Sequence, residues 1–129
     1  MAYDLNEVPD GDYIATPGKQ DLCITKVEEN IISQQKGTPG FRITLANAAG
    51  QTIRDTFWEV KNAMFRIKLL AKACQLPESE MAVFEPSMVL GHTVTCNIVP
   101  DGPEYFKVSK YEATGNIVIP PEDKDDAPF

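Results

Sequence analysis

The sequence predicts a mainly β domain with five strands and one helix. Two observations predict it: apolar and polar residues alternate over several short stretches, and one stretch near the middle changes to a helical period. Clusters of Gly, Pro, Asn and Asp separate these stretches and indicate turns. With 129 residues, the chain is long enough for one domain with one core.

The first three predicted strands lie in the N-terminal half. Residues 1–11 are polar and end in a Pro-Asp-Gly turn signal, so we interpret them as an N-terminal arm. The segment Asp12–Glu29 is predicted to hold two β-type stretches separated by Pro17-Gly18, with the first strand around Leu22 and Ile24. The second strand, Phe41–Leu45, alternates with Arg42 and Thr44 on its outward face, and the third, Gln51–Trp58, places Arg54, Thr56 and Trp58 outward.

The period then changes, and one helical stripe is predicted from Val60, Met64, Ile67, Ala71 and Cys74. Pro77–Pro86 is expected to hold a short second helical turn. The fourth strand, Leu90–Val99, has an apolar face of His92, Val94, Cys96 and Ile98. The fifth strand, Glu104–Glu112, is predicted to point Phe106 and Val108 inward and Tyr105, Lys107, Ser109 and Tyr111 outward.

This order of elements is that of an OB-fold, a five-stranded, partly open barrel, here with its helix between strands 3 and 4. We therefore expect an OB-fold domain over residues 12–112. From residue 113 the pattern is lost, and residues 113–129 are expected to form a disordered acidic tail. OB-folds often bind single-stranded nucleic acid on the face of strands 2 and 3.

The net charge of −7 by itself argues against nucleic acid, whose phosphates attract basic surfaces. The distribution of charge along the chain indicates the opposite. Residues 19–72 carry nine basic and five acidic side chains, whereas the segments on either side are acidic. The hairpin of the second and third strands therefore lies in the basic part of the chain.

No catalytic, metal or cofactor site is predicted. There is one histidine, His92, and the three cysteines form no CxxC pair; catalytic and nucleotide-binding motifs are absent. The longest apolar run is Met81–Phe84, whereas a membrane span needs about 20 residues. We expect no membrane segment and a reducing cytoplasm.

The candidate DNA-binding residues combine cations for phosphates with flat rings for unstacked bases. Arg42, Arg54 and Trp58 form the centre of this surface, and the neighbouring candidates are Lys26, Lys36, Tyr105, Lys107 and Tyr111. The alternative is an ordinary solvated sheet face, with Trp58 packed against the helix. We interpret the helix lysines Lys61, Lys68 and Lys72 as complements of the helix dipole rather than DNA contacts.

The C-terminal residues suggest a protein-binding tip. A C-terminal phenylalanine can fill a small apolar pocket, its α-carboxylate can pair with an arginine, and the aspartates can dock on a basic rim. This ending resembles the acidic tip of bacterial single-stranded DNA-binding proteins, although Ala127 is smaller than the aliphatic residue often found there. The resemblance implies that the tip recruits host replication and repair proteins through Asp123, Asp125, Asp126, Pro128 and Phe129.

The body resembles phage single-stranded DNA-binding proteins of the DUF669 type. The resemblance lies in Gly11-Asp12-Tyr13, Lys-Gly-Thr-Pro before strand 2, Gly-Gln-Thr-Ile-Arg-Asp-Thr-Phe-Trp in strand 3, Met-Phe-Arg-Ile-Lys-Leu-Leu in the helix, and Leu90-Gly91. It implies sequence-independent binding and protection of single-stranded DNA during phage replication or recombination, in the host cytoplasm. Self-association on DNA stays open. The alternative functions are an OB-fold protein-interaction module and an acidic adaptor that does not bind DNA.

Overall fold

A computed structural model describes residues 13–121 and confirms the mainly β prediction. Its five strands are β1 (Gly18–Ile32), β2 (Pro39–Ala46), β3 (Thr52–Trp58), β4 (Thr93–Pro100) and β5 (Phe106–Ala113). Between β3 and β4 lie helix α1 (Met64–Ala73), helix α2 (Glu78–Met81), and 3-10 turns at Lys61–Ala63 and Pro86–Val89. The main helix and the short second helix are thus where the sequence predicts them.

All five strands belong to one antiparallel sheet in the order β3-β2-β1-β4-β5. The long central strand β1 pairs with β4 through Gly18–Cys23 and with β2 through Cys23–Ile32. Register shifts follow Ile24 and Glu28. Such irregularities bend a strand and increase its twist. One bent strand therefore serves both halves of the sheet.

The inward face of the sheet forms the core, and the alternation in β2 and β3 is confirmed. Phe41 and Phe57 face each other across these strands, with ring centroids 5.1 Å apart. Helix α1 packs its buried residues against the same core. The fully enclosed side chains are Leu22, Ile24, Phe41, Ile43, Leu45, Phe57, Leu70, Val89, Val94, Cys96 and Ile98.

The edge strands β3 and β5 approach each other without main-chain pairing among the described residues, so the sheet is not closed into a barrel. Side chains bridge this gap. The Tyr111 hydroxyl donates a hydrogen bond of 2.6 Å to Asp55 Oδ2, and Arg66 Nη2 of α1 donates one of 2.8 Å to the same oxygen. The Arg66 guanidinium also lies 4.7 Å from the centroid of the Phe57 ring. We call Asp55, Phe57, Arg66 and Tyr111 the seam.

The predicted outward position of Tyr111 is wrong. The pairing of β5 with β4 shifts by one residue, because Lys110 lies opposite Asn97 while Val108 lies opposite Ile98. Ser109 is therefore an extra residue, and a bulge of this kind reverses the faces of the residues that follow it. Tyr111 consequently turns inward and is only 8% exposed.

The predicted helical stripe is wrong in its first two members. Val60 precedes the 3-10 turn, and Met64 is the first residue of α1; both are exposed. Val60 lies before the helix and cannot share its stripe, and Met64 lies at the exposed N-terminal end of α1. Ile67, Ala71 and Cys74 are buried as predicted. His92 lies just before β4 and is half-buried.

The folded part of the chain extends beyond residue 112. Asn116 Nδ2 donates a hydrogen bond of 2.7 Å to Asp21, the Val118 amide donates one of 3.1 Å to Thr93 Oγ1, and Pro121 lies beside Gly50. Most of the predicted arm and residues 122–129 of the predicted tail lie outside the described residues. Within residues 13–121, no helix is long and apolar enough to cross a membrane.

Candidate nucleic-acid interface

The outward face of β1, β2 and β3 brings three of the predicted cations onto one surface. Strand register places Lys26, Thr44 and Arg54 in one row across the three strands. Neighbouring strands lie about 4.8 Å apart, so the Cα atoms of Lys26 and Arg54 are separated by about 10 Å. Both side chains are exposed. This row therefore has a cation at each end, with Thr44 between them.

The next row along the strands contains Glu28, Arg42 and Thr56. Arg42 Nε donates a hydrogen bond of 3.1 Å to Thr56 Oγ1, and its Nη1 lies 3.8 Å from Glu28 Oε2. The Lys26 ammonium lies 3.1 Å from the other oxygen of Glu28. Glu28 thus pairs with two of the three cations on this face.

Trp58 ends the surface at the third row, directly opposite Gly40. The indole lies over this glycine, since a Cβ atom built at residue 40 would stand only 2.8 Å from Trp58 Cε3. An aromatic ring placed over a strand glycine covers exposed backbone and fixes the ring's orientation. Trp58 is half-buried in this position. Its ring is therefore positioned by the sheet, a prerequisite for a stacking platform.

The loop between β1 and β2 approaches the same end of the hairpin. Lys36 is exposed in this loop, and its amide donates a hydrogen bond of 3.4 Å to Ser33 Oγ. The Glu59 amide, next to Trp58, donates a hydrogen bond of 2.9 Å to the carbonyl oxygen of Pro39. Lys36 therefore lies three residues from the backbone that contacts the Trp58 end of β3.

Strand pairing does not bring the candidates of the last strand, Tyr105, Lys107 and Tyr111, onto the β1–β3 face. Tyr105 is 70% exposed but precedes β5, in the turn where the Asp101 amide donates to its carbonyl oxygen. Lys107 is exposed on β5, opposite Val99. Tyr111 belongs to the seam. The aromatic–basic–aromatic pattern predicted for one face of the fifth strand is therefore absent from the described β5.

Buried titratable groups lie at the seam and in the core. Burial raises the pKa of Asp55, while hydrogen bonds from Tyr111 and Arg66 oppose that rise. Burial likewise raises the pKa of the Cys74 thiol to about 12 and that of Cys96 further, so both are protonated. Among residues 13–121, no three His, Cys, Asp or Glu side chains are grouped closely enough to hold a metal ion.

The β1–β3 face carries a net positive charge, although the described part of the chain as a whole does not. Residues 13–121 contain eleven basic and eleven acidic residues, so the described part of the chain is formally neutral. The three rows carry Lys26, Arg42 and Arg54 against the single acid Glu28. A locally positive strip on a neutral domain attracts phosphates, and the acidic residues of the predicted arm and tail account for the net charge.

Sequence reasoning missed two residues of this architecture, Glu28 and Asp55. In the sequence Glu28 is one of two consecutive acids, and only the β1–β2 register shows that it faces Arg42. Asp55 occupies an inward position between Ile53 and Phe57, and that interruption of the apolar face was the available signal. The tail candidates Asp123, Asp125, Asp126, Pro128 and Phe129 lie outside the described residues.

Comparison with models of known protein families found no match, and comparison with curated proteins found none.

Proposed function

We propose that this chain binds single-stranded DNA, without base preference, on the outward face of β1, β2 and β3. The observation that carries the proposal is the grouping of Arg42 and Arg54 with Trp58, whose ring is held over Gly40. Cations neutralise phosphates, and an aromatic ring accepts any unstacked base because every base has a π-face. Lys26 extends the cationic row, and Lys36 lies near the Trp58 end.

The proposal includes an OB-fold assignment for the domain. Five antiparallel strands with the main helix between β3 and β4 support it, as do the side-chain contacts between the two edge strands. OB-folds are partly open barrels, and their nucleic-acid site is the face of strands 2 and 3. The candidate surface occupies the corresponding strands.

The biological part of the proposal follows the resemblance of the sequence to phage single-stranded DNA-binding proteins. The domain coats and protects single strands during phage replication or recombination in the host cytoplasm. The acidic segment 122–129 recruits host replication or repair proteins, with Phe129 as its apolar anchor. Because this segment carries four acidic residues and one basic residue, it competes with DNA phosphates for the basic face, and its deletion is expected to keep or raise DNA affinity.

The DNA-binding claim is tested by titrating fluorescein-labelled oligo-dT at about 50 and 200 mM salt. Arg42→Gln and Arg54→Gln are each expected to flatten the slope of log affinity against log salt by about 0.7, the value for one phosphate on a single strand. Trp58→Ala is expected to weaken binding by about 1–3 kcal/mol, the contribution of one stacked base.

Lys72→Gln is the matched control, because Lys72 is an exposed cation at the end of α1 and not on the β1–β3 face. It should leave affinity and salt slope unchanged. Absence of binding at low salt would reject the proposal and favour a protein-interaction domain. An effect of Lys72→Gln equal to that of Arg54→Gln would show that binding is not confined to the β1–β3 face.

The recruitment claim has its own experiment, a pull-down from bacterial lysate. The intact chain, a chain lacking 122–129, and the Phe129→Ala variant serve as baits. Loss of the same captured replication or repair proteins from both altered baits supports recruitment through this segment. Capture of identical proteins by all three baits would reject it, with the DNA-binding claim unaffected.

A further inference from the structure

Glu28 is the one acidic side chain within the three rows of the candidate surface. Its two carboxylate oxygens are divided between two cations: Oε1 lies 3.1 Å from Lys26 Nζ, and Oε2 lies 3.8 Å from Arg42 Nη1. The Glu28 side chain is 31% exposed, so the solvent reaches it. The carboxylate therefore occupies the position between two cations that an incoming phosphate would take.

The sheet does not depend on Glu28 to place Arg42. The Arg42 side chain is also held by Thr56 Oγ1 through its Nε atom, on the neighbouring strand. Lys26 is largely exposed, and a solvent-exposed ion pair contributes little to stability. Glu28 is therefore expected to affect what binds to the surface much more than whether the surface forms.

Two cations and one carboxylate carry one net positive charge. Arg54, in the adjacent row, makes no ion pair with any residue of 13–121. A ligand with one phosphate that approaches Lys26 and Arg42 therefore meets cations that are already paired. A strand that spans the rows also contacts Arg54 and Trp58, and these contacts offset the competition.

We propose that Glu28 is a built-in competitor of phosphate, which lowers the affinity of the surface for isolated anions and makes tight binding depend on an extended strand. This inference rests on the proposed function. It assigns Glu28 the role of a specificity-determining residue, which sets how many phosphates the surface effectively neutralises.

The test replaces the carboxylate by the amide of the same shape, Glu28→Gln, and measures labelled oligo-dT binding over about 50–200 mM salt. Removing one negative charge is expected to raise affinity and to steepen the salt slope by about 0.7. The gain over the unaltered protein should therefore shrink about 2.6-fold across this fourfold change in salt. With labelled oligo-dT held well below its Kd, inorganic phosphate should displace it at lower concentration from Glu28→Gln than from the unaltered protein.

Two variants separate the role of charge at this position from other effects. Glu29→Gln removes an adjacent, exposed acid that makes no ion pair within residues 13–121, and it should change the slope much less. The double variant Lys26→Gln/Glu28→Gln removes both charges of one pair and should return the slope to that of the unaltered protein. Equal unfolding midpoints in urea establish that the variants are folded.

The outcomes distinguish this inference from the function on which it rests. If the unaltered protein does not bind oligo-dT, the proposed function fails and the inference with it. If it binds, and Arg42→Gln weakens binding, the function stands. A Glu28→Gln protein that then binds no better than Glu29→Gln, or binds more weakly than the unaltered protein, would overturn the role of Glu28 alone.

Discussion

Replacing Tyr111 by phenylalanine tests whether the seam joins the two edge strands. The substitution removes one hydroxyl and leaves the ring in place, where its centroid is 5.8 Å from that of Phe57. The lost interaction is the 2.6 Å hydrogen bond to Asp55, a largely buried carboxylate. A hydrogen bond to an ionised group contributes about 1.5–3 kcal/mol, and we expect the free energy of unfolding to fall by that amount.

The loss should depend on pH with a definite sign. Burial raises the pKa of Asp55 in the folded protein, so the folded state binds this proton more tightly than the unfolded chain does. The cost of ionised Asp55 is therefore absent at low pH and grows as the pH rises through the folded pKa. The Tyr111 hydroxyl lowers this pKa. Without it the cost is larger, and stability falls more steeply with rising pH.

Urea unfolding at several pH values measures both effects. With a typical dependence of about 1–3 kcal/mol per molar urea, the midpoint of Tyr111→Phe should shift by about 1 M when Asp55 is ionised. The loss should fall to about 0.5–1.5 kcal/mol when Asp55 is protonated, since the bond then joins neutral groups. Tyr105→Phe is the control, because Tyr105 is 70% exposed. A Tyr111→Phe midpoint equal to that of the control, or a loss independent of pH, would refute the seam's role.

Three further predictions concern the contact between Trp58 and Gly40, the Asp21 carboxylate on β1, and the three thiols. Gly40→Ala should cost about 1–3 kcal/mol of stability and shift the Trp58 emission to the red, because the added Cβ atom clashes with the Phe57 carbonyl oxygen and with the indole; Gly115→Ala, which has open space, is the control. Asp21→Asn should lower the melting temperature above pH 3.8 but not at low pH. Hydrogen bonds from Thr95 and Asn116 hold the pKa of Asp21 below 3.8 in the folded protein, so the stability that this carboxylate contributes is lost as the pH falls through the folded pKa. Iodoacetamide should leave the thiols of the native protein unmodified and should label them in urea, as measured by mass spectrometry. Replacing all three cysteines by serine should lower stability but keep DNA affinity. The three residues are Cys23, Cys74 and Cys96.

The sequence was sufficient to predict the elements in which the alternation of apolar and polar residues matches the burial of their side chains. In β2 and β3 the apolar and polar residues alternate along most of each strand, so the outward positions of Arg42, Arg54 and Trp58 follow from the strand period alone. The switch to a helical period likewise predicts a helix between β3 and β4.

The sequence could not predict features that depend on one strand meeting another. The bulge at Ser109 reverses Tyr111, and it arises from the register between β4 and β5 rather than from any turn residue. The pairing of Glu28 with Arg42 depends in the same way on the β1–β2 register. Asp55 is accommodated at an inward position only because Tyr111 and Arg66, distant in sequence, donate to it.

The most direct test of the central claim is the intrinsic fluorescence of the unaltered protein during titration with oligo-dT. Trp58 is the single tryptophan, so emission excited at the red edge of the indole band, where the four tyrosines do not absorb, reports on this residue alone. A base stacked on the indole is expected to quench its emission, with saturation at the same DNA concentration as binding measured by labelled oligo-dT. Duplex DNA at equal phosphate concentration should quench less, since its bases are already stacked. Unchanged Trp58 emission in the presence of saturating oligo-dT would contradict the proposed interface.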